Sequence, residues 1–211
     1  MVTGLIRIEG RPMGLIANNP MHQGGAIAAD DADKAARFVQ LCDAYDLPVL
    51  SLCDTPGFMV GPETEKTAMV RRCCRMFVNG ANITVPYFTV VLRKGYGLGA
   101  QAMAGGGFHA PIFTVSWPTG EFGGMGLEGA VRLGFRNELA AIPDPVEREA
   151  EFRRLVDELY SRGKALSTAS VLEIDDVIDP TETRNWILRG LNTVSRPSPR
   201  NGKKRTHIET W

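Results

Sequence analysis

Short apolar runs, glycine-bearing turns and stripes of apolar residues at helical spacing alternate through the first two thirds of this chain. Thr3 to Ile8 and Met13 to Ala17 read as two strands joined at Glu9-Gly10-Arg11-Pro12, a hairpin. A loop with Asn18-Asn19-Pro20 and Gly24-Gly25 follows. Asp30 and Asp31 then cap a helix over Ala32 to Tyr45, whose Ala35, Phe38, Val39, Cys42 and Tyr45 share one face. Leu47 to Cys53 is an apolar strand ending in Asp54-Thr55-Pro56-Gly57. After a loop over Phe58 to Pro62, a helix is predicted over Thr64 to Val78, burying Met69, Cys73, Met76 and Phe77. Val85 to Leu92 is a second buried strand, broken at Arg93 to Gly99 and resumed as a small-residue helix over Ala100 to Ala104. Ile112 to Val115 is a third short strand, and Leu127 to Phe135 a short helix. Strand, turn and helix recurring at this spacing argue for an α/β fold with largely parallel central strands.

Beyond Arg136 the texture changes. Pro145 to Arg162 is amphipathic, with Phe152, Leu155, Val156 and Leu159 on one side, and further helices are expected near Ala165 to Ser170 and Thr181 to Leu191. Residues 1–191 thus read as one domain. Asn192 to Trp211, rich in Ser, Pro and Arg/Lys, reads as a flexible basic tail, with Lys203-Lys204-Arg205 expected in solvent rather than against an acidic surface.

Composition narrows the functions available. With 211 residues and 44% hydrophobic positions the chain can bury a sizeable core. Its 24 basic and 24 acidic residues cancel, so no global field recommends nucleic acid, and an anionic ligand has to be held locally. No apolar run reaches the ~20 residues of a membrane span. The N-terminal stretch lacks the pattern of a secretory signal, so a cytoplasmic protein is expected. Cys42, Cys53, Cys73 and Cys74 show no C-x-x-C spacing and read as reduced thiols.

Asp54-Thr55-Pro56-Gly57 matches D-x-x-G, but the chain has no G-x-x-x-x-G-K-[ST] partner for a nucleotide. Pro56-Gly57 still turns the chain at a strand end, where open α/β sheets place ligand sites. Gly95, Gly97 and Ala100 loosely match a dinucleotide fingerprint, without an acidic residue at the end of the next strand. Gly123, Gly124, Gly126 and Gly129 serve either tight packing or a second wall of a ligand cleft. His22, His109 and His207 stand apart, and no nucleophile elbow occurs. The best candidate for chemistry is the glycine-dense turn from Gly95 to Gly99. Between a buried strand and a helix, such a turn presents backbone N–H donors to an anion or oxyanion.

Four blocks in order, RIEGRPMGLIANNP, KAARFVQLCDAYDLPVLSLCDTPGFMVGPETE, VPYFTVVLRKGYGLGAQAM and WPTGEFGGMGLEGAV, resemble the C-terminal half of the carboxyltransferase subunit of biotin-dependent acyl-CoA carboxylases. The resemblance spans about Val2 to Leu191. It implies a crotonase-like α/β fold of repeated ββα units with added C-terminal helices. It also implies transfer of a carboxyl group from carboxybiotin to the α-carbon of a short acyl-CoA. The family pattern Arg-Lys-x-Tyr-Gly-Gly-Ala-Tyr falls on Arg93 to Ala100, which puts the oxyanion-binding amides on Leu98 and Gly99. This chain has Leu98, Gly99, Ala100 and Gln101 where the family commonly has Gly, Ala, Tyr and an acidic residue. Gly95, Tyr96, Gly97, Ala100 and Gln101 would surround biotin, and Pro56, Gly57, Phe58 and Gly126 would complete the binding walls. The implied partners are a biotin carboxyl carrier protein or biotin carboxylase subunit and an N-terminal carboxyltransferase half, in a homo- or hetero-oligomer. A decarboxylase component running the transfer in reverse, or a non-catalytic assembly module, would carry the same blocks.

Overall fold

A computed structural model describes residues 1–195 and 197–209. The chain opens with strands β1 (Val2–Ile8) and β2 (Arg11–Ala17), an antiparallel hairpin. Its turn places Glu9 and Gly10 at φ 47° and 76°, the left-handed pair that matches strand twist. Helix α1 (Ala29–Ala44), strand β3 (Val49–Thr55), a one-turn helix α2 (Pro62–Glu65) and helix α3 (Met69–Asn82) follow. Then come β4 (Tyr87–Tyr96), α4 (Gly97–Met103), β5 (Phe113–Ser116) and β6 (Glu121–Gly123). The C-terminal part holds helices α5 (Leu127–Gly134), α6 (Arg136–Ala140), α7 (Pro145–Arg162) and α8 (Ala165–Ser170), strand β7 (Asp176–Val177) and helix α9 (Thr183–Thr193).

The strands form one sheet in the order β1-β2-β3-β4-β5-β7, parallel at every pairing after the hairpin. The short β6 pairs with the C-terminal end of β4, from Lys94 to Tyr96. Period-two side chains give the sheet two apolar faces. Val49, Cys53, Tyr87 and Val91 pack under α1, α3 and α4, whose contacts are mostly alanines and Met76 and Met103. Leu50, Phe88, Val90, Phe113 and Val115 pack against Ile187 and Leu191 of α9. Small side chains on α1 and α4 let both helices lie close to the sheet. Among the described residues no helix is long and apolar enough to cross a membrane.

Four expectations need correction. The helix predicted over Thr64 to Val78 is two helices, because Ala68 sits at φ 57° between them. Strand β4 runs through Arg93-Lys94-Gly95 to Tyr96, and α4 begins at Gly97 rather than Ala100. The continuation of β4 is stabilised by β6, a strand too short to show in the apolar pattern. Asp30 and Asp31 lie inside the first turn of α1. Asp31 accepts a hydrogen bond from the Ala28 N–H at 3.1 Å, while Ala28 caps without a side-chain bond.

The tail also departs from its expected freedom. Residues 192 and 193 complete α9, and 197–209 lie along the C-terminal end of α1 outside any helix or strand. Lys204 Nζ pairs with Asp43 and Asp46, both at 3.0 Å, and Arg205 Nε with Asp43 at 2.7 Å. The acidic pair at the end of α1 was not visible to composition alone. Residues 196, 210 and 211 of that tail lie outside the described residues.

Candidate functional site

The C-terminal ends of β3 and β4 come together with the end of β6. The meeting depends on a register change. Cys53 faces Val91 but Thr55 faces Gly95, so β4 gains two residues on its neighbour. Asp54, 7% exposed, fills the irregularity. Its Oδ1 accepts the Lys94 N–H at 3.2 Å, and its carboxylate accepts Nε and Nη2 of Arg93, both at 3.3 Å. Its own N–H donates to Asn18 Oδ1 at 3.0 Å. An amide that the shifted ladder leaves without a strand partner is thereby satisfied.

After β3, the Thr55 hydroxyl accepts the Gly57 N–H at 3.1 Å, closing the Thr55-Pro56-Gly57 turn. The loop is also tied to the segment before α1. Ile27 N–H donates to Gly57 O at 3.0 Å, and Met59 N–H to Ile27 O at 2.9 Å. Gly57 adopts φ 121°, a conformation for which glycine is required.

Helix α4 starts against this loop. A Cβ on Gly99 would fall 2.7 Å from both the Gly57 carbonyl carbon and its Cα, and 3.0 Å from Phe58 N. A Cβ on Gly97 would fall 2.7 Å from Gly124 O, and Gly97 turns at φ 60°. Backbone therefore meets backbone on both sides of the turn. Leu98 and Gly99 occupy the second and third helical positions, whose N–H groups have no intrahelical acceptor. Neither donates a hydrogen bond among the described residues. Gly99 is buried, whereas Leu98 is 63% exposed.

The structure sorts the other candidates. Gly57 and Phe58 stand beside Gly99, with Pro56 preceding them in the same turn. Gly95 is buried in β4, where a Cβ would crowd Phe122 and Val91 at 3.1 to 3.2 Å. Ala100 is fully buried and packs α4 on the sheet, which removes its side chain from any ligand. The Tyr96 side chain, 3% exposed, turns inward, and its hydroxyl donates to Glu121 Oε2 at 3.0 Å. Burial first, then Glu121, pushes its pKa up, so it stays a neutral donor. These three belong to the scaffold rather than the surface a ligand meets. Gln101 is half-buried and its carbonyl accepts the Gly106 N–H at 2.9 Å. Gly126 caps α5 with open space around it, whereas Gly123 pairs with Tyr96 and the Gly124 carbonyl lies against Gly97. The sequence marks Asp54 only as the start of a D-x-x-G string and Glu121 only as a loop residue; both sit at strand ends near glycine or proline, which is the signal available for their structural roles.

Residues 1–207 match the carboxyl transferase domain family. The chain is 38% identical over 197 residues to the biotin-dependent long chain acyl-coenzyme A carboxylase beta4 subunit of Mycobacterium tuberculosis, covering 92% of this chain and 37% of that protein. It is 33% identical over 208 residues to the propionyl-CoA carboxylase carboxyltransferase subunit of Haloferax mediterranei, covering 96% and 40%. A solved single-chain, multi-domain long-chain acyl-CoA carboxylase superimposes with a TM-score of 0.80 at 61% identity, over 89% of this chain and 19% of that one. Transcarboxylase 12S with methylmalonyl-coenzyme A bound superimposes with a TM-score of 0.84 at 33% identity, over 99% and 40%. The chain thus spans about two fifths of the length of the curated relatives it matches. The fold is the crotonase-like α/β architecture expected from the four sequence blocks.

Proposed function

The chain belongs to the carboxyl transferase domain family, and we propose that it forms the biotin-receiving half of an acyl-CoA carboxyltransferase. The carrying observation is the pair of unpaired amides at Leu98 and Gly99, held against the Gly57-Phe58 backbone where no side chain fits. Two adjacent donors with a glycine floor suit a small planar acceptor such as a cyclic urea oxygen. Carboxybiotin on a partner carrier protein would supply the carboxyl group. The Leu98 and Gly99 amides would bind the ureido oxygen and stabilise negative charge there. A lost donor of this kind typically costs ~3 kcal/mol of barrier. The packing of Gly99 on Gly57 fixes the donors before the reaction, so little reorganisation is required of the chain.

This reading leaves the acyl-CoA wall to an N-terminal half, and the whole to a cytoplasmic oligomer with a biotin carboxyl carrier protein. The short acyl-CoA implied by sequence resemblance has a competitor. The 61% identity to a long-chain acyl-CoA carboxylase makes a long-chain acyl-CoA the first substrate to assay, beside acetyl- and propionyl-CoA. The test is carboxyl transfer by this chain with and without a candidate N-terminal half. Transfer is expected only from the reconstituted pair. Robust transfer by the isolated chain would refute the half-site assignment. Gly99→Pro, which deletes one N–H and also sets a Cβ against the Gly57 backbone, is expected to lower turnover more than about 100-fold in the pair, and further than Gly99→Ala, which keeps the N–H. Unchanged turnover in a folded Gly99→Pro variant would leave only an assembly role.

A further inference from the structure

Between the amide turn and the C-terminal helices stands one hydrogen-bonded pair that the proposed chemistry does not use. Tyr96 is the last residue of β4 and immediately precedes Gly97, where α4 begins. Its hydroxyl donates to Glu121 Oε2 at 3.0 Å, although its backbone already pairs with Gly123 in the β4–β6 ladder. Glu121 starts β6, and β6 is fastened from its other side. Phe122 N–H donates to Gly163 O at 2.7 Å, and Ala165 N–H to Gly120 O at 2.9 Å. Glu121 itself bridges to Lys164. A three-residue strand thereby becomes a fixed rail joining the α7–α8 turn to the end of β4. The same rail ends next to Gly124, whose carbonyl lies close against the Gly97 backbone.

We infer that Tyr96 is a positioning residue for the Leu98 and Gly99 amides, and that Glu121 is the anchor it acts through. Three bonds at most separate the Tyr96 side chain's attachment from the Gly97 peptide, so a shift of the ring moves the start of α4. Gly97, at φ 60°, has no side chain of its own, so what restrains it is the Gly124 carbonyl against its backbone and Tyr96 before it. The burial of the Tyr96 ring, 3% exposed, leaves its hydroxyl no alternative solvent partner. Tyr160 lies next to this pair, with its own hydroxyl donating to Glu128 Oε1 at 3.1 Å, so α5 and α7 are tied to the same corner.

This inference rests on the reading of Leu98 and Gly99 as oxyanion donors, but its test has a readout free of catalysis. Amide relaxation measured by NMR on the full chain reports the rigidity of Gly97, Leu98 and Gly99 directly. In Tyr96→Phe and Glu121→Ala their order parameters are expected to fall toward the flexible range, below about 0.6, while those of Val49 to Cys53 stay near 0.85. Glu121→Gln, which keeps an oxygen acceptor, is expected to retain most of the rigidity. The double variant Tyr96→Phe/Glu121→Ala should be no looser than either single one, since both remove one bond. In the reconstituted pair Tyr96→Phe should lower kcat about tenfold with KM for acyl-CoA unchanged. Unchanged amide rigidity in folded Tyr96→Phe overturns the positioning role. A wild-type pair without transfer, alongside loosened amides in Tyr96→Phe, overturns the oxyanion reading and leaves the rail intact.

Discussion

Glycine acts in this site through the atoms it lacks, and its positions make separable predictions. At Gly99 an added Cβ meets the backbone of Gly57 at 2.7 Å, and backbone cannot rotate aside as a flexible side chain does. Gly99→Ala should therefore force the β3 loop and α4 apart, lowering the melting temperature and cutting turnover of the reconstituted pair about 100-fold, the usual cost of a ~1 Å misplacement. Gly126 has φ −53° and nothing within 4 Å of its Cβ position, so Gly126→Ala should melt within a degree or so of wild type. Any activity it loses would then report a ligand passing over α5. The cysteines separate in the same physical way. Burial, and then the neighbouring Asp43 and Asp54 carboxylates, push Cys42 and Cys53 up to about 12. Both remain thiols at pH 8, whereas Cys74 is exposed. Timed alkylation followed by mass spectrometry should label Cys74 first and leave Cys42 and Cys53 untouched until the protein unfolds.

Helices and strands show where sequence could and could not locate this architecture. Gly190 lies within α9, where alanine normally favours a helix by up to ~1 kcal/mol. Here a Cβ would come 2.6 Å from Phe88 Cε1 and 3.1 Å from Phe113 Cε1, in a ring pair 5.1 Å apart that is buried. Overpacking of about 1 to 3 kcal/mol should win, so Gly190→Ala is expected to lower stability in urea unfolding. That helix was legible only as a helix near Thr181 to Leu191, whereas α7 was legible from its apolar side, and its start follows from Asp144 capping Val146 N–H at 3.0 Å and from Pro145 at the first helical position. The end of β4 was not legible. Arg93, Lys94 and Gly95 carry no strand pattern and join β4 only because Asp54 satisfies Lys94 and β6 supplies the partner. Likewise the break at Ala68 has no glycine or proline to announce it. The glycine turn itself was legible as a place for donors. Which residues face it was not, since Tyr96 and Ala100 point into the core for reasons set by β6 and the sheet.

On the scale of the molecule, the segment 197–209 is held on the body by charge. Asp43 lies 2% exposed at the end of α1 and accepts the Thr84 N–H at 2.8 Å as well as Lys204 and Arg205. Burial alone would raise its carboxyl, but the Thr84 amide and the two cations outweigh it and hold it below the usual range. Asp46 is lowered too, first by Arg200. A carboxyl whose pKa is lower folded than unfolded contributes stability that is fully present above the unfolded value of about 4. It is lost as pH falls through the folded value. Asp43→Asn keeps the shape and removes the charge, so it reproduces the acid state at neutral pH. The melting temperature of the variant should therefore lie below wild type from pH 7 to 5, and the two should converge as pH drops below about 4. Because the Asp43 carboxylate is almost wholly buried and Lys204 only 18% exposed, the gap at pH 7 should also survive high salt better than that of a surface pair. An offset constant across pH would instead assign the effect to packing, and the segment would be docked by shape rather than by its basic residues.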